Sequence, residues 1–370
     1  MSGPIDQAKQ QIGGRGLSRR RVLAAGVATS VASLLPGCGD LSLPGAAAQG
    51  NRANGLRRSA VLLPLSGQSA ELGQRLRTAA TLGGGPGVGI EIVDAGSSPE
   101  TAVAAAKAAV DAGAEMLVGP VFSAQTEAVA QAVRVPIVTL SNNTALVGRR
   151  TFVFGVTPRQ SAQAILSIAA QRGLSDVATV VPPGPFGGQS AAAAERVGAA
   201  LGLRMRPTLV RANANGLLAA LQTDGTLPRA VYLPVADGTL AGFAEALQGQ
   251  GMQLLGSTQW SALDLSGRAA FRDAWFAAPD PLRFAAFDEA FRAAAGSAGG
   301  IITGLAFDGV ELLRILGQAN QLTARGLTRK AGFTGVIGPY RFLSSGLCER
   351  GLGVLRVGAG EFSLIGSTSV

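Results

Sequence analysis

From Ser59 onward the chain alternates short apolar runs with segments of helical spacing, and this alternation restricts its fold more than any other feature. Residues 59–65 (SAVLLPL) form an apolar run closed by Pro64 and Ser66-Gly67, and residues 71–82 then place Leu72, Leu76, Ala79 and Ala80 on one helical face. The order repeats as strand 89–93, helix 99–112, strand 116–118, helix 123–133 and strand 136–140. It resumes as strand 177–181, helix 189–201, strand 229–233, helix 240–248, strand 254–257 and a long helix at 301–316. Strands joined through helices by short connections build right-handed βαβ units on parallel sheets. Two such series predict an α/β fold of two doubly wound parallel-sheet lobes with a cleft between them. The boundary falls at 152–158. The first lobe is expected to take 59–157 and a return segment of about 279–330. The second is expected to take 158–278 and a C-terminal segment of about 331–370.

Composition agrees with a large buried core. Apolar residues make up 47% of the chain and charged ones 15%, which excludes disorder as a description of the whole. The net charge of +9 would suit a nucleic-acid partner, but Lys9, Arg15, Arg19, Arg20 and Arg21 against Asp6 put about half of that excess before Cys38. The rest is dispersed, with no basic run interleaved with aromatics, so no nucleic-acid partner is expected. There is no histidine, which removes the commonest general base and metal ligand and with them every Ser-His-Asp or Cys-His system. Two cysteines, Cys38 and Cys348, are too few for a Cys-rich zinc site. The expectation is a protein with no catalytic residues, metal or cofactor.

The first 37 residues read as an export signal. Ser18-Arg19-Arg20-Arg21-Val22-Leu23 precedes a small-residue apolar stretch at 24–35, the arrangement of a twin-arginine signal, with a Sec signal as the alternative. Leu35-Pro36-Gly37-Cys38 then resembles a bacterial lipobox, which makes Cys38 the lipidation site, with a structural cysteine as the alternative. Residues 38–58 are Gly-, Ala-, Ser- and Arg-rich without periodicity and read as a flexible tether. The mature protein is thus expected in the periplasm, lipid-anchored to the cell membrane or the outer membrane. With Cys38 lipidated, Cys348 has no partner and no disulfide forms.

Two glycine-rich stretches are read as loops. Gly83-Gly84-Gly85-Pro86-Gly87-Val88-Gly89 follows a helix and precedes a strand, the reverse of a phosphate cradle. Pro182-Pro183-Gly184-Pro185-Phe186-Gly187-Gly188 has the right order but lacks Gly-Lys-Ser/Thr and spaced glycines. It is read as a loop lining the crevice outside the strand C-termini, where open α/β sheets take ligands.

Several pieces together resemble the leucine-binding type (type I) of periplasmic binding protein: Ala60-Val61-Leu62-Leu63-Pro64-Leu65-Ser66-Gly67, Gly119-Pro120-Val121-Phe122-Ser123, Val135-Pro136-Ile137-Val138-Thr139-Leu140-Ser141 and Ala306-Phe307-Asp308-Gly309-Val310. Others, Leu140-Ser141-Asn142-Asn143, Val153-Phe154-Gly155-Val156-Thr157-Pro158, Ala274-Trp275-Phe276-Ala277-Ala278-Pro279 and Gly335-Val336-Ile337-Gly338-Pro339-Tyr340-Arg341-Phe342, resemble the lipoprotein branch known as penicillin-binding-protein activators. The first resemblance implies a small polar solute, amino-acid-like or otherwise, bound between the lobes for an ABC permease or for sensing. The second implies a regulator that contacts a peptidoglycan synthase.

Within that fold, Ser123 opens a helix after a strand, where its hydroxyl and the free N–H groups can meet an anion. The resemblance implies the same role, since the matching serine holds the ligand carboxylate; the alternative is a plain N-cap. Ser141, Asn142 and Asn143 follow the next strand and are bulkier than the Ala- and Thr-containing turn of amino-acid binders; they are ligand contacts or turn formers. Phe186 from the second lobe and Trp260 at a strand end stack on a ligand or anchor their loops. Asp237 is the candidate partner for an ammonium group, Asp264 a further one, and Asp308, inside a helix, is expected to have a structural partner.

Overall fold

The computed structural model describes residues 58–84 and 89–370. The export segment, Cys38, the tether up to residue 57 and part of the first glycine-rich loop lie outside the described residues. Arg58, expected at the end of the tether, already pairs with Ala114 in a strand.

The first lobe is built from β1 (Arg58–Leu63), α1 (Ala70–Leu82), β2 (Ile90–Asp94), α2 (Pro99–Asp111), β3 (Ala114–Val118), α3 (Ser123–Ala132), β4 (Ile137–Thr139) and β5 (Thr151–Val153). Its five strands are all parallel, in the order β2-β1-β3-β4-β5. The central strands are apolar on both faces because helices cover both, as the buried run Ala60–Leu63 records. Local signals start the helices: α2 opens on Pro99 after a capping box between Ser98 and Thr101.

The second lobe follows with α4 (Pro158–Gln171), β6 (Asp176–Val181), α5 (Pro185–Ala200), β7 (Arg204–Met205), β8 (Leu209–Val210), α6 (Leu217–Leu221), β9 (Ala230–Leu233), α7 (Leu240–Leu247), β10 (Gln253–Gly256) and β11 (Trp275–Ala278). Helix α5 starts four residues before the predicted helix. Pro185 supplies a fixed φ at the first helical position, and glycines in a first turn cost little where N–H groups are unpaired anyway.

The chain then returns to the first lobe with α8 (Pro281–Ala295) and α9 (Ile301–Gln318), which pack on α1, α9 also reaching β1 and β3. After α10 (Ala324–Leu327), three short antiparallel strands, β12 (Phe333–Thr334), β13 (Pro339–Phe342) and β14 (Cys348–Arg350), form a small separate sheet. The alternation reading did not anticipate it. Its aromatics pack on β5 and the residue after it: Phe342 lies edge-on to Phe152, with centroids 5.7 Å apart, and Tyr340 sits 4.9 Å from Phe154. Finally β15 (Gly353–Val357) and β16 (Phe362–Ser367) add to the second lobe's sheet, giving the order β16-β15-β11-β10-β9-β6-β7, with β8 also on β6. These two strands are antiparallel, so that sheet is mixed at one edge.

Candidate functional site in the cleft

Two short crossovers fix how the lobes face each other. The chain leaves the C-terminal end of β5 at Val153 and enters α4 at Pro158; it leaves β11 at Ala278 and enters α8 at Pro281. In βαβ units a helix begins at the C-terminal edge of its sheet. Four and two residues span at most ~14 and ~7 Å. The C-terminal edges of the two sheets therefore confront each other, and the crevice between them is where such sheets bind ligands. The first crossover is locked by a capping box, in which Thr157 Oγ1 accepts the Gln160 N–H and Gln160 Oε1 accepts the Thr157 N–H at 3.0 Å.

On the first lobe's edge, Ser123 and Ser141 meet, Oγ to Oγ at 3.0 Å. The approach is set by the turn after β3, where Gly119 has φ +91° and faces the Leu62 carbonyl so closely that a Cβ would overlap it. Ser123 is the first residue inside α3, not its cap: Phe122 holds the cap position and no side chain caps the helix. The plain N-cap alternative for Ser123 is thus corrected, and the first-turn N–H groups of α3 are left without a side-chain cap. Ser141 is buried and its Oγ also accepts the Asn143 N–H at 3.2 Å. Asn143 in turn accepts the Ala145 N–H at 3.0 Å, which makes it a turn former. Asn142 is half-buried and its side-chain amide has no partner among the described residues. Ser123 and Ser141 are thus brought together as a polar corner at this edge, with Asn142 next to Ser141 in the chain.

The carboxylates at these strand ends are engaged by their own loops. Asp237 is exposed and accepts the Thr239 N–H at 2.9 Å and the Thr239 hydroxyl. Asp264, also exposed, accepts the Ser266 N–H at 3.3 Å and its hydroxyl at 2.9 Å. Asp94, at the end of β2, takes N–H groups from Leu65, Ser66 and Gly96. Burial opposes its ionisation, but hydrogen bonds from Ser66, Gly96 and Leu65 outweigh it and hold the carboxyl below its ordinary value. Asp280 caps α8 through the Leu282 N–H. Among the described residues, no three or more Asp, Glu or Cys side chains come together as a metal site.

Trp260 does not belong to the site. It is fully buried, its indole N–H donates to the Leu233 carbonyl at 3.0 Å, and it packs edge-on against Phe271. A Cβ at Gly256 would overlap the indole, so the glycine makes room for it. Position at a strand end was the only sequence signal for Trp260, and the core claims it. Phe186 lies half-buried in the first turn of α5, beyond the C-terminal end of β6. Sequence reasoning overlooked Phe122, which is 37% exposed beside Ser123. An aromatic next to a helix-opening serine was the available signal.

Two facing α/β edges joined by crossovers, with paired serines at one of them, define a two-lobed α/β protein with a crevice between its sheets. The family profile for periplasmic binding proteins matches residues 60–360, and the chain belongs to this family. Comparison with curated protein sequences finds no match. Among solved structures, a Rhodospirillum rubrum protein assigned to a branched-chain amino acid ABC transporter is similar at 22% identity and a TM-score of 0.70, covering 83% of this chain and 99% of that one. An ABC transporter substrate-binding protein from Desulfitobacterium hafniense in complex with Leu is 20% identical, with a TM-score of 0.64 and coverage of 83% and 99%. An ABC transporter solute-binding protein from R. palustris in complex with benzoate is 19% identical, with a TM-score of 0.58 and coverage of 85% and 96%.

Proposed function

We propose that this chain is a non-catalytic periplasmic solute-binding protein that serves an ABC importer, exported by the twin-arginine route and held at the membrane by lipid on Cys38. We propose further that its ligand is a small organic acid without an adjacent ammonium group, with aromatic acids foremost. One observation carries the choice of ligand. The first lobe offers Ser123, Asn142 and the N-terminus of α3 to a carboxylate, while Asp94, Asp237, Asp264 and Asp280 each turn one carboxylate oxygen to N–H groups of their own loops. Among the described residues no carboxylate hydrogen-bonds to Ser123, Ser141 or Asn142, so an ammonium beside them would be desolvated without a counter-charge in contact, which is costly. Phe122 and Phe186 offer aromatic surface for a ring. The benzoate and Leu complexes of the neighbouring proteins make both ligand classes worth testing. The peptidoglycan-synthase regulator rests on four sequence motifs alone, and neither the corner nor these neighbours add support to it.

Calorimetry with benzoate, 4-hydroxybenzoate, leucine and valine tests the reading. An aromatic acid should bind tighter than leucine, and Ser123→Ala should weaken it roughly tenfold to a hundredfold, the worth of one charge-assisted hydrogen bond. Leucine binding tighter than the aromatic acids overturns the ligand class, and binding by none of a wider acid panel overturns the solute-binding role.

A further inference from the structure

A groove of about 1070 Å³ runs beside the hinge, between α4, α5 and the β13–β14 hairpin, and none of the residues of the Ser123 corner line it. Along α5 the lining residues recur at helical spacing, from Pro185 through Gln189, Ala192 and Arg196 to Ala200. At 1.5 Å per residue this face is ~22 Å long. A face of this length accommodates an extended aliphatic chain lying along the helix.

An extended peptide would need backbone partners. The outer edge of β14 is the sheet edge on offer there, and its Cys348 carbonyl already accepts the Gln160 side-chain N–H. The lining suits a slender occupant with an apolar body. Leu343, Leu347 and Val197 supply apolar walls, and the small residues Gly188 and Ala192 leave the space.

The charged side chains of the groove are predominantly basic. Arg159 and Arg196 are exposed and have no ion-pair or hydrogen-bond partner among the described residues. Arg341 pairs with Glu349, the sole acidic side chain lining the groove, and its buried Nε has no partner. Lining residues also come from both lobes and from two crossovers. Thr144 belongs to the first lobe and α5 to the second, while Thr157 and Arg350 border the connecting segments.

We propose that this groove is a second ligand site, for an unbranched aliphatic carboxylate, and that its occupancy is coupled to movement of the lobes. The apolar body lies along α5 and the carboxylate meets the unpaired guanidiniums. Because the occupant touches both lobes and two of the chains joining them, it binds differently to open and closed forms, which is the requirement for coupling to the cleft.

Calorimetry of the full chain with decanoate, 1-decanol and decyl phosphate tests this. Decanoate should bind at one site, at least tenfold tighter than 1-decanol. The double variant Arg159→Ala/Arg196→Ala should lose at least tenfold in affinity for decanoate, and Ala192→Trp, which fills the groove, should abolish binding. Ser123→Ala should leave decanoate affinity unchanged, which separates this site from the cleft. No binding of decanoate, equal binding of 1-decanol, tighter binding of decyl phosphate, or binding that survives both groove variants overturns the proposal. Loss of decanoate binding in Ser123→Ala overturns it too, by placing the acid in the cleft.

Discussion

Asp308 of α9 and Arg350 of β14 meet inside the protein, Oδ2 to Nη1 at 3.8 Å, with side chains 1% and 0% exposed. The carboxylate also accepts the N–H groups of Val336 at 2.7 Å and Ile337 at 3.4 Å. The guanidinium lies over the rings of Phe154 and Tyr340, at 4.6 and 5.0 Å, and donates to the Phe154 carbonyl at 3.2 Å. The pair ties a helix of the first lobe to the strand from which the chain goes back to the second.

Acidification through pH 6 should raise the stability of the folded protein. Burial pushes the Asp308 carboxyl up to about 6, against the pull of Arg350 and of the Val336 and Ile337 N–H groups. A folded-state value above the unfolded one contributes stability that is complete below the unfolded value and lost as pH rises through the folded one. Between pH 7 and pH 5 Asp308 should therefore add roughly 1–2 kcal/mol. Urea unfolding at the two pH values measures it. The pH 5 minus pH 7 difference should shrink by that amount in Asp308→Asn.

Removing one member of the pair should cost far more than removing both. Arg350→Met leaves a buried carboxylate without its counter-charge, a loss of about 3–5 kcal/mol. Asp308→Leu/Arg350→Met should recover a large part of it, because an apolar pair of similar size needs no counter-charge. A double-mutant cycle from urea midpoints checks this, and a double variant no more stable than the single one refutes it.

Trp260 should behave as a core residue and not as a ligand contact. Trp260→Phe leaves the Leu233 carbonyl without its donor and should cost about 1–3 kcal/mol. Trp260→Ala should cost about 3–5 kcal/mol through the cavity it opens. Affinity for the cleft ligand, measured on folded Trp260→Phe, should stay within twofold of the parent.

Cys348 should be inert in the folded protein. It is buried, and burial pushes its thiol up to about 11. At pH 8 only ~0.1% is thiolate, and the thiolate is the reactive form. A thiol reagent should label it slowly in native buffer and rapidly in urea. Rapid native labelling would show that the small sheet of β12–β14 opens readily.

The limits of sequence reading are visible in single residues. Ser123 was found because a serine opening a helix after a strand is a local pattern. Its bond to Ser141 was not, because that contact depends on how β3 and β4 align and on the close turn at Gly119. Trp260 and Asp237 were selected by position at strand ends, a criterion that cannot tell a side chain facing the crevice from one turned into the core or onto its own loop. The sheet of β12–β14 escaped notice because strands of two to four residues carry too few alternations to register as a period.

The sequence by itself determined the two series of βαβ units, the presence of two lobes and the absence of any histidine-based chemistry. These follow from local periodicity and composition, which every compact form of the chain must satisfy. Only the tertiary structure decided which polar groups come together at the crevice. The Ser123–Ser141 contact and the bonds of Leu65 and Ser66 to Asp94 join residues 18 to 29 positions apart, which no local pattern fixes. The meeting of Ser123 with Ser141 at the crevice is an outcome of how β3 and β4 pack side by side.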